Sequence, residues 1–369
     1  MEQLEDTDTI ERQILNRAKH SCIPVNGSIE LLPLCNMNCD MCYVRLNRED
    51  VECLGGLHTA EEWIEIGKQM KEAGVLFLLL TGGEPLLFPD FKRLYIELRK
   101  MGFIITINTN GTLIDEEWAK FFGTYKPRRI NITLYGADEE EYARLCHYPD
   151  GFKRTIQGIH LLREMDVDVK ISCSITKVNY KSLKRIFMIG DNLGVLVHID
   201  PYMMPIVRER NRPFSEQSRV FPRDAAKISV EALKLQFSEN MFYQYVSQAV
   251  ERVENPKYPR GDGTLSCLAG SCSFTINWQG NMRPCVVLSE PSISVFEKGF
   301  KKAWQEIRTE ADKLVINKQC TACCYKPICK VCAAAAVSET GSYDGIPEYL
   351  CRFSEEYYQI LKEEALKNG

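Results

Sequence analysis

The sequence predicts an α/β protein, a partial (β/α)6 TIM-like barrel followed by a small cysteine-rich domain. Two observations carry this prediction. From about Gly27 to Pro201, short β-rich runs alternate with helical patterns, as repeated βα units around a parallel sheet require. After Pro201 the alternation fades, and from Cys267 onward cysteines crowd the chain, which places a boundary within 206–262. An open doubly wound sheet would give the same pattern and is the alternative architecture.

Residues 1–26 read as a charged N-terminal extension without the apolar core of a signal peptide. Too few residues precede Ser28 for a separate leader-binding module to fold there. Six candidate strands follow within 27–205: Ser28–Leu34, Val75–Leu80, Phe103–Thr109, Arg129–Leu134, Asp168–Ile175 and Val195–Asp200. Thr59 with Glu62 three residues on has the form of a capping box, and Trp63, Ile66, Met70 and Ala73 recur behind it at helical spacing. Phe91, Leu94, Leu98 and Met101 mark the next helix, which stops at Gly102. Helical crossovers of this kind are right-handed, and ligands bind at the C-terminal ends of the strands. The remainder divides into a connecting helical or loop segment 206–262, a cysteine-rich domain 263–355 and a C-terminal helix 356–369.

The formal charge of −4 shows no basic excess, so the electrostatic footprint of a nucleic-acid binder is missing. The longest apolar runs, such as Val75–Leu80, are far too short to span a bilayer. The chain therefore reads as soluble and cytoplasmic. Sixteen cysteines without an export signal point to metal ligation, because cytosolic reductants keep thiols reduced.

The sharpest motif is Cys35-Asn-Met-Asn-Cys39-Asp-Met-Cys42-Tyr43, a C-x3-C-x2-C loop directly after the first strand. Three thiolates so close in sequence can hold one iron-sulfur cube and leave one iron open to a further ligand. Chance buried thiols or a three-cysteine zinc site are the plainer alternatives. After the second strand comes Thr81-Gly82-Gly83-Glu84-Pro85, whose paired glycines allow a close backbone approach; an ordinary strand-to-helix turn reads the same way. Asn108-Thr109-Asn110-Gly111 after the third strand is either a ligand loop or an asparagine-capped turn.

On these residues the chain resembles the radical SAM superfamily. The resemblance implies a reduced 4Fe-4S cluster on Cys35, Cys39 and Cys42. That cluster gives an electron to chelated S-adenosylmethionine, releasing methionine and a 5′-deoxyadenosyl radical that abstracts hydrogen from the substrate. It also implies that Gly82, Gly83 and Glu84 meet the methionine end of the cofactor, and that Thr109 and Asn110 lie near its ribose. Ser172 and Ser174 are further candidates for ribose contacts. No acid/base residue is required for initiation, and none is assigned.

The C-terminal cysteines are Cys267, Cys272 and Cys285, then Cys320-x2-Cys323-x5-Cys329-x2-Cys332, and Cys351. They resemble the SPASM extension of radical SAM enzymes, although the last spacing in the compact run is one residue short. The resemblance implies two auxiliary 4Fe-4S clusters, making three in all. One would use Cys267, Cys272, Cys285 and Cys332, and the other Cys320, Cys323, Cys329 and Cys351. A zinc ribbon on Cys320, Cys323, Cys329 and Cys332 is the alternative, and Cys324 could replace Cys323. The remaining cysteines, Cys22, Cys53, Cys146, Cys173 and Cys324, read as small buried hydrophobes, with a catalytic thiol at Cys53 or Cys146 the minor alternative.

Relatives with such extensions mostly modify peptides, so the expected partners are a precursor peptide and an electron donor such as flavodoxin or ferredoxin, without nucleic acid or membrane. A tetrapyrrole or other small molecule is the alternative substrate, and a non-catalytic electron carrier a third reading. Sulfatase-maturing relatives carry Asp after the cysteine matching Cys285, whereas this chain has Val286. Arg208, Arg210, Arg212, Arg219 and Arg223 offer forks for substrate carboxylates, or else form a solvated loop.

Overall fold

The computed structural model describes residues 9–206, 208–210, 218–255, 257 and 261–367. All six expected strands are present: β1 (Asn26–Glu30), β2 (Phe77–Thr81), β3 (Ile104–Thr109), β4 (Arg129–Thr133), β5 (Val169–Ser174) and β6 (Leu196–Asp200). Each pairs in parallel with its predecessor. Along every strand the residues alternate. Ile29, Leu80, Ile107, Ile132, Ile171 and Val197 are buried under helices, while Ser28, Asn108, Asn131, Thr133, Ser172 and His198 take the opposite, concave face. The concave face is polar enough to bond to itself: Asn131 donates to Asn108 at 2.8 Å.

The first strand was expected to run to Leu34, but its ladder ends at Glu30. Leu31–Leu34 stay extended and bond to the glycine turn after β2 instead: Gly83 N donates to Leu32 O at 2.7 Å and Glu84 N to Leu34 O at 2.8 Å. Pro33 lacks an amide proton and cannot continue a two-sided ladder. Both expected helices form. That at Ala60–Glu72 carries the full capping box of Thr59 and Glu62, and Gly102 ends the helix Phe91–Lys100 at φ +96°.

The sequence missed an extension of the sheet. Its order is β6-β5-β4-β3-β2-β1-β7-β8-β9, in which β7 (Ser273–Ile276), β8 (Asn281–Arg283) and β9 (Ile293–Ser294) come from the cysteine-rich region. β7 lies parallel to β1 and turns back antiparallel through β8. These strands are too short, and too full of polar residues, for alternation to announce them. They fold because β1 presents an open edge. One continuous apolar core consequently runs from the barrel into the cysteine-rich region, joining Ile29 and Leu80 to Ile276, Met282 and Phe300.

Helices Pro222–Gln236 and Glu239–Glu254 fill the connecting segment and pack on the C-terminal helix. That helix runs Glu348–Lys367, not from 356, so Cys351 sits in its first turn. Among the described residues no helix is long and apolar enough to cross a membrane.

Candidate active site

Cys35, Cys39 and Cys42 line one wall of a cavity of about 550 Å³ at the C-terminal ends of the strands, with Gly82, Gly83, Thr109, Asn110 and Ser174 around it. The loop is held from below. Asn38 N and Asp40 N donate to the carbonyls of Cys146 and Leu145, both at 3.0 Å, so the loop satisfies carbonyls left open at the end of helix Glu139–Cys146. His147, the left-handed residue that ends this helix, meets Asp40 at 2.7 Å. From the side, Asn110 Nδ2 donates to Asn36 Oδ1 at 2.8 Å and lies 3.8 Å from the Cys35 sulfur. Thr112 closes the ring, its amide donating to Asn110 Oδ1 at 2.9 Å and its hydroxyl accepting from Asn36 at 2.8 Å. Asn110 thus braces the loop while lining the cavity.

Gly82 and Gly83 are glycines because of strand crowding. A Cβ on Gly82 would stand 2.4 Å from Leu32 O, and one on Gly83 2.2 Å from Leu34 O. Neither position tolerates a side chain without moving the backbone that leads into Cys35.

Glu84 is placed behind this wall and does not line the cavity. It is fully buried, and its carboxylate accepts from Thr109 Oγ1 at 2.8 Å, Asn110 N at 2.9 Å and Leu86 N at 3.1 Å. Burial nonetheless pushes the carboxyl up to about 7, the three donors pulling the other way. Over the range where the unfolded chain has already lost this proton, the fold keeps it. Stability therefore falls as pH rises from about 4.5 toward 7, by at most about 3 kcal/mol. Glu84→Gln should flatten that slope in the apoprotein. Urea midpoints at pH 5 and pH 8 test this, and parallel slopes for the two proteins would refute it.

Ser174 lines the cavity, but Ser172, two residues deeper on β5, does not. Sequence reasoning overlooked Asp200, Tyr202, Met203, Met204, Val286, Val287 and Lys330, which form the opposite wall. Their separation along the chain left no local motif; only Val286 stood out.

The arginines serve the fold. Arg208 makes a two-pronged bond to Glu30 at 2.8 and 2.6 Å and lies over the Tyr43 ring. Arg210 donates to Cys39 O at 3.1 Å. Arg219 grips Glu339 and stacks on Tyr349, and Arg223 faces Glu356 at 3.8 Å. Arg212 lies outside the described residues. Buried carboxylates of the chain itself have claimed the forks of Arg208 and Arg219, while Arg223 and Glu356 are exposed.

Burial pushes the Cys35 thiol up to about 12 and raises Cys42, while a hydrogen bond with Cys146 is the foremost cause raising Cys39. Amides already await negative sulfur: Met37 N donates to Cys35 at 3.4 Å and Arg45 N to Cys42 at 3.3 Å. Such thiols stay neutral alone and release protons when a cationic centre binds.

In the C-terminal region Cys320, Cys323, Cys329 and Cys351 ring a second cavity of about 240 Å³. Cys285 and Cys332 share an electrostatic neighbourhood with Cys267. Cys272 instead lies beside Cys267 and Cys22, directs its sulfur to Leu15 O at 3.7 Å and packs with Ala18, Val25 and Phe77. Among the described residues no three His, Cys, Asp or Glu side chains close on a point tightly enough for a single metal ion. Cys146 and Cys173 are buried as expected, but Cys53 and Cys324 are exposed and Cys22 is half-buried.

Fold and loop together define a partial α/β barrel with a three-thiol loop after its first strand. Residues 29–187 match the family model described as the radical SAM superfamily. An AdoMet-dependent heme synthase of Methanosarcina barkeri is 26% identical over 330 residues, 85% of this chain and 92% of that protein. Among solved structures, anSMEcpe with bound AdoMet superposes with TM-score 0.69 at 20% identity, covering 93% of this chain and 94% of that one. SuiB of Streptococcus suis bound to its precursor peptide SuiA gives 0.68 at 18% identity, covering 95% and 83%. The match to the radical SAM superfamily covers residues 29–187, the barrel part of the chain, and a radical SAM domain implies S-adenosylmethionine and a 4Fe-4S cluster.

Proposed function

We propose that this radical SAM enzyme modifies a peptide, as maturase of a ribosomally synthesised precursor. Cys35, Cys39 and Cys42 would hold the catalytic cluster. Cys320, Cys323, Cys329 and Cys351 would hold one auxiliary cluster; Cys267, Cys285 and Cys332, with Cys272 turned to join them, would hold a second. When bound, the first cluster supplies the electron that cleaves S-adenosylmethionine into methionine and a 5′-deoxyadenosyl radical. The chain's own residues fix the geometry around it. The backbone of Gly82 and Gly83 offers the cofactor's methionine end a wall without side chains, Asn110 braces the cysteine loop, and Ser174 is set for the ribose. Glu84 acts through Thr109 and Asn110, joining two loops that must move as one. The barrel 27–205 and the cysteine-rich part 263–355 are the working units, in the cytoplasm, with a flavodoxin or ferredoxin as reductant.

The observation that carries the peptide reading is the charge of the cavity. Among its described lining residues Lys330 is the one cation, too little for a porphyrin bearing several propionates but suited to a peptide. A tetrapyrrole is the second reading, supported by the likeness to a heme synthase along most of both chains. The test is anaerobic: reconstituted enzyme, S-adenosylmethionine and dithionite, first alone and then with an iron porphyrin carrying propionates. We expect 5′-deoxyadenosine to form and the porphyrin to keep its mass. An altered porphyrin would transfer the enzyme to the second reading, and absence of 5′-deoxyadenosine would remove both.

A further inference from the structure

The cavity has two unlike halves. The β1–β3 side carries the cysteine loop, the glycine turn and Asn110. The β6 side carries none of these. There Asp200, at the end of β6, faces the same space as Tyr202, Met203 and Met204, and Lys330, on the two-residue link between Cys329 and Cys332, lines it together with Val286 and Val287. Lys330 is exposed to the cavity. It lies within electrostatic reach of Asp200 and His198, but among the described residues it has no hydrogen-bond or ion-pair partner. The other arginines and lysines near the mouth differ: Arg208, Arg210 and Arg219 are spent on Glu30, on the carbonyl of Cys39 and on Glu339. Among the described residues the side-chain carboxylate of Asp200 accepts only the amide of Tyr202, at 3.2 Å.

We infer that Lys330 and Asp200 form the substrate anchor, Lys330 binding the carboxylate of an Asp or Glu side chain and Asp200 accepting a backbone N–H beside it. This deepens the peptide reading and rests on it. A cation bordered by methionine and valine side chains loses water as the cavity fills, so an anionic partner is what it selects. Asp200 limits the charge that partner can carry. A single carboxylate balances Lys330, whereas a doubly charged phosphate would be repelled by Asp200. The apolar residues between the two charges would take the aliphatic stem of the acidic side chain. Lys330 is carried on the loop between Cys329 and Cys332, so a segment of the cysteine-rich region completes the substrate wall of the barrel.

The test uses reconstituted holoenzyme with S-adenosylmethionine under anaerobic conditions. It is equilibrated with three matched pools of N-acetylated, C-amidated decapeptides containing one Glu, one Gln or one Lys at a varied position, and retained peptides are counted by mass spectrometry. The wild type should retain the Glu pool about fivefold over the Gln pool, the scale of one half-exposed ion pair. Lys330→Gln should bring that ratio to about one, and Lys330→Glu should invert the selection toward the Lys pool. Equal retention of Glu and Gln pools by the wild type overturns the anchor, as does a Glu preference that survives Lys330→Glu. Should Lys330→Glu not fold, Lys330→Gln and Lys330→Met decide the matter alone. Cleavage of S-adenosylmethionine by the wild type is assayed separately: its failure sinks the enzymatic reading, whereas lost selectivity with cleavage intact sinks only the anchor.

Discussion

Replacing Cys35, Cys39 and Cys42 together by Ala is expected to bring 5′-deoxyadenosine formation to background and to lower bound iron from about twelve to about eight per chain. The cavity wall explains why the loss should be complete. All three cysteines line one cavity, and amides of Met37 and Arg45 stand ready for Cys35 and Cys42. Cys146, although it meets Cys39, is fully buried at the end of its helix and cannot take over a vacant position without unwinding it. The fold itself should survive, since the loop is anchored by backbone bonds to Leu145 and Cys146 and by the clasp of Arg210, none of which uses a thiol. Iron analysis and product chromatography on the same preparation check both halves. Full iron content with activity retained would dismiss the loop as the catalytic centre.

The barrel was legible because its signals are local. Strands β1 to β6 each fall within a short β-rich run closed by a turn, and Thr59 with Glu62 announces a helix start within four letters. The cysteine loop was legible for the same reason. The opposite wall was not, because Asp200 and Lys330 are brought together by tertiary packing, with neither placed in a spacing that chemistry dictates. The joining of the cysteine-rich region to the sheet was hidden likewise: β7 has four residues and β8 three, and only the free edge of β1 makes them strands. The arginine-rich segment misled for a different reason. A row of guanidinium groups looks the same whether it awaits a ligand or meets carboxylates such as Glu30, which in the sequence is one polar residue inside the expected strand Ser28–Leu34.

Arg208→Ala is the structural change expected to cost most, about 3–5 kcal/mol in urea unfolding. Arg208 and Glu30 have side-chain exposures of only 1% and 2%. The guanidinium also bonds Glu209 at 2.8 Å and the carbonyl of Val286 at 3.0 Å. One side chain therefore links β1, the end of the cysteine loop at Tyr43 and the segment after Cys285. Glu30 and Glu209 are balanced by Arg208 and the neighbouring Arg283, whose own charge is disfavoured first by burial and then by Arg208. Removing Arg208 leaves two carboxylates against one cation in a place water does not reach, and Arg283 is too constrained to neutralise both. Arg208→Lys would restore the charge as a point without the two-pronged geometry, so it should recover part of the stability and leave the Glu30 contact single. A double variant Arg208→Met, Glu30→Met separates charge from packing: it should be more stable than Arg208→Ala, because no unpaired carboxylate remains at β1. If Arg208→Ala unfolds at the same urea concentration as the wild type, the ion cluster does not hold the cysteine loop against the sheet, and the clasp must be sought in Arg210 alone.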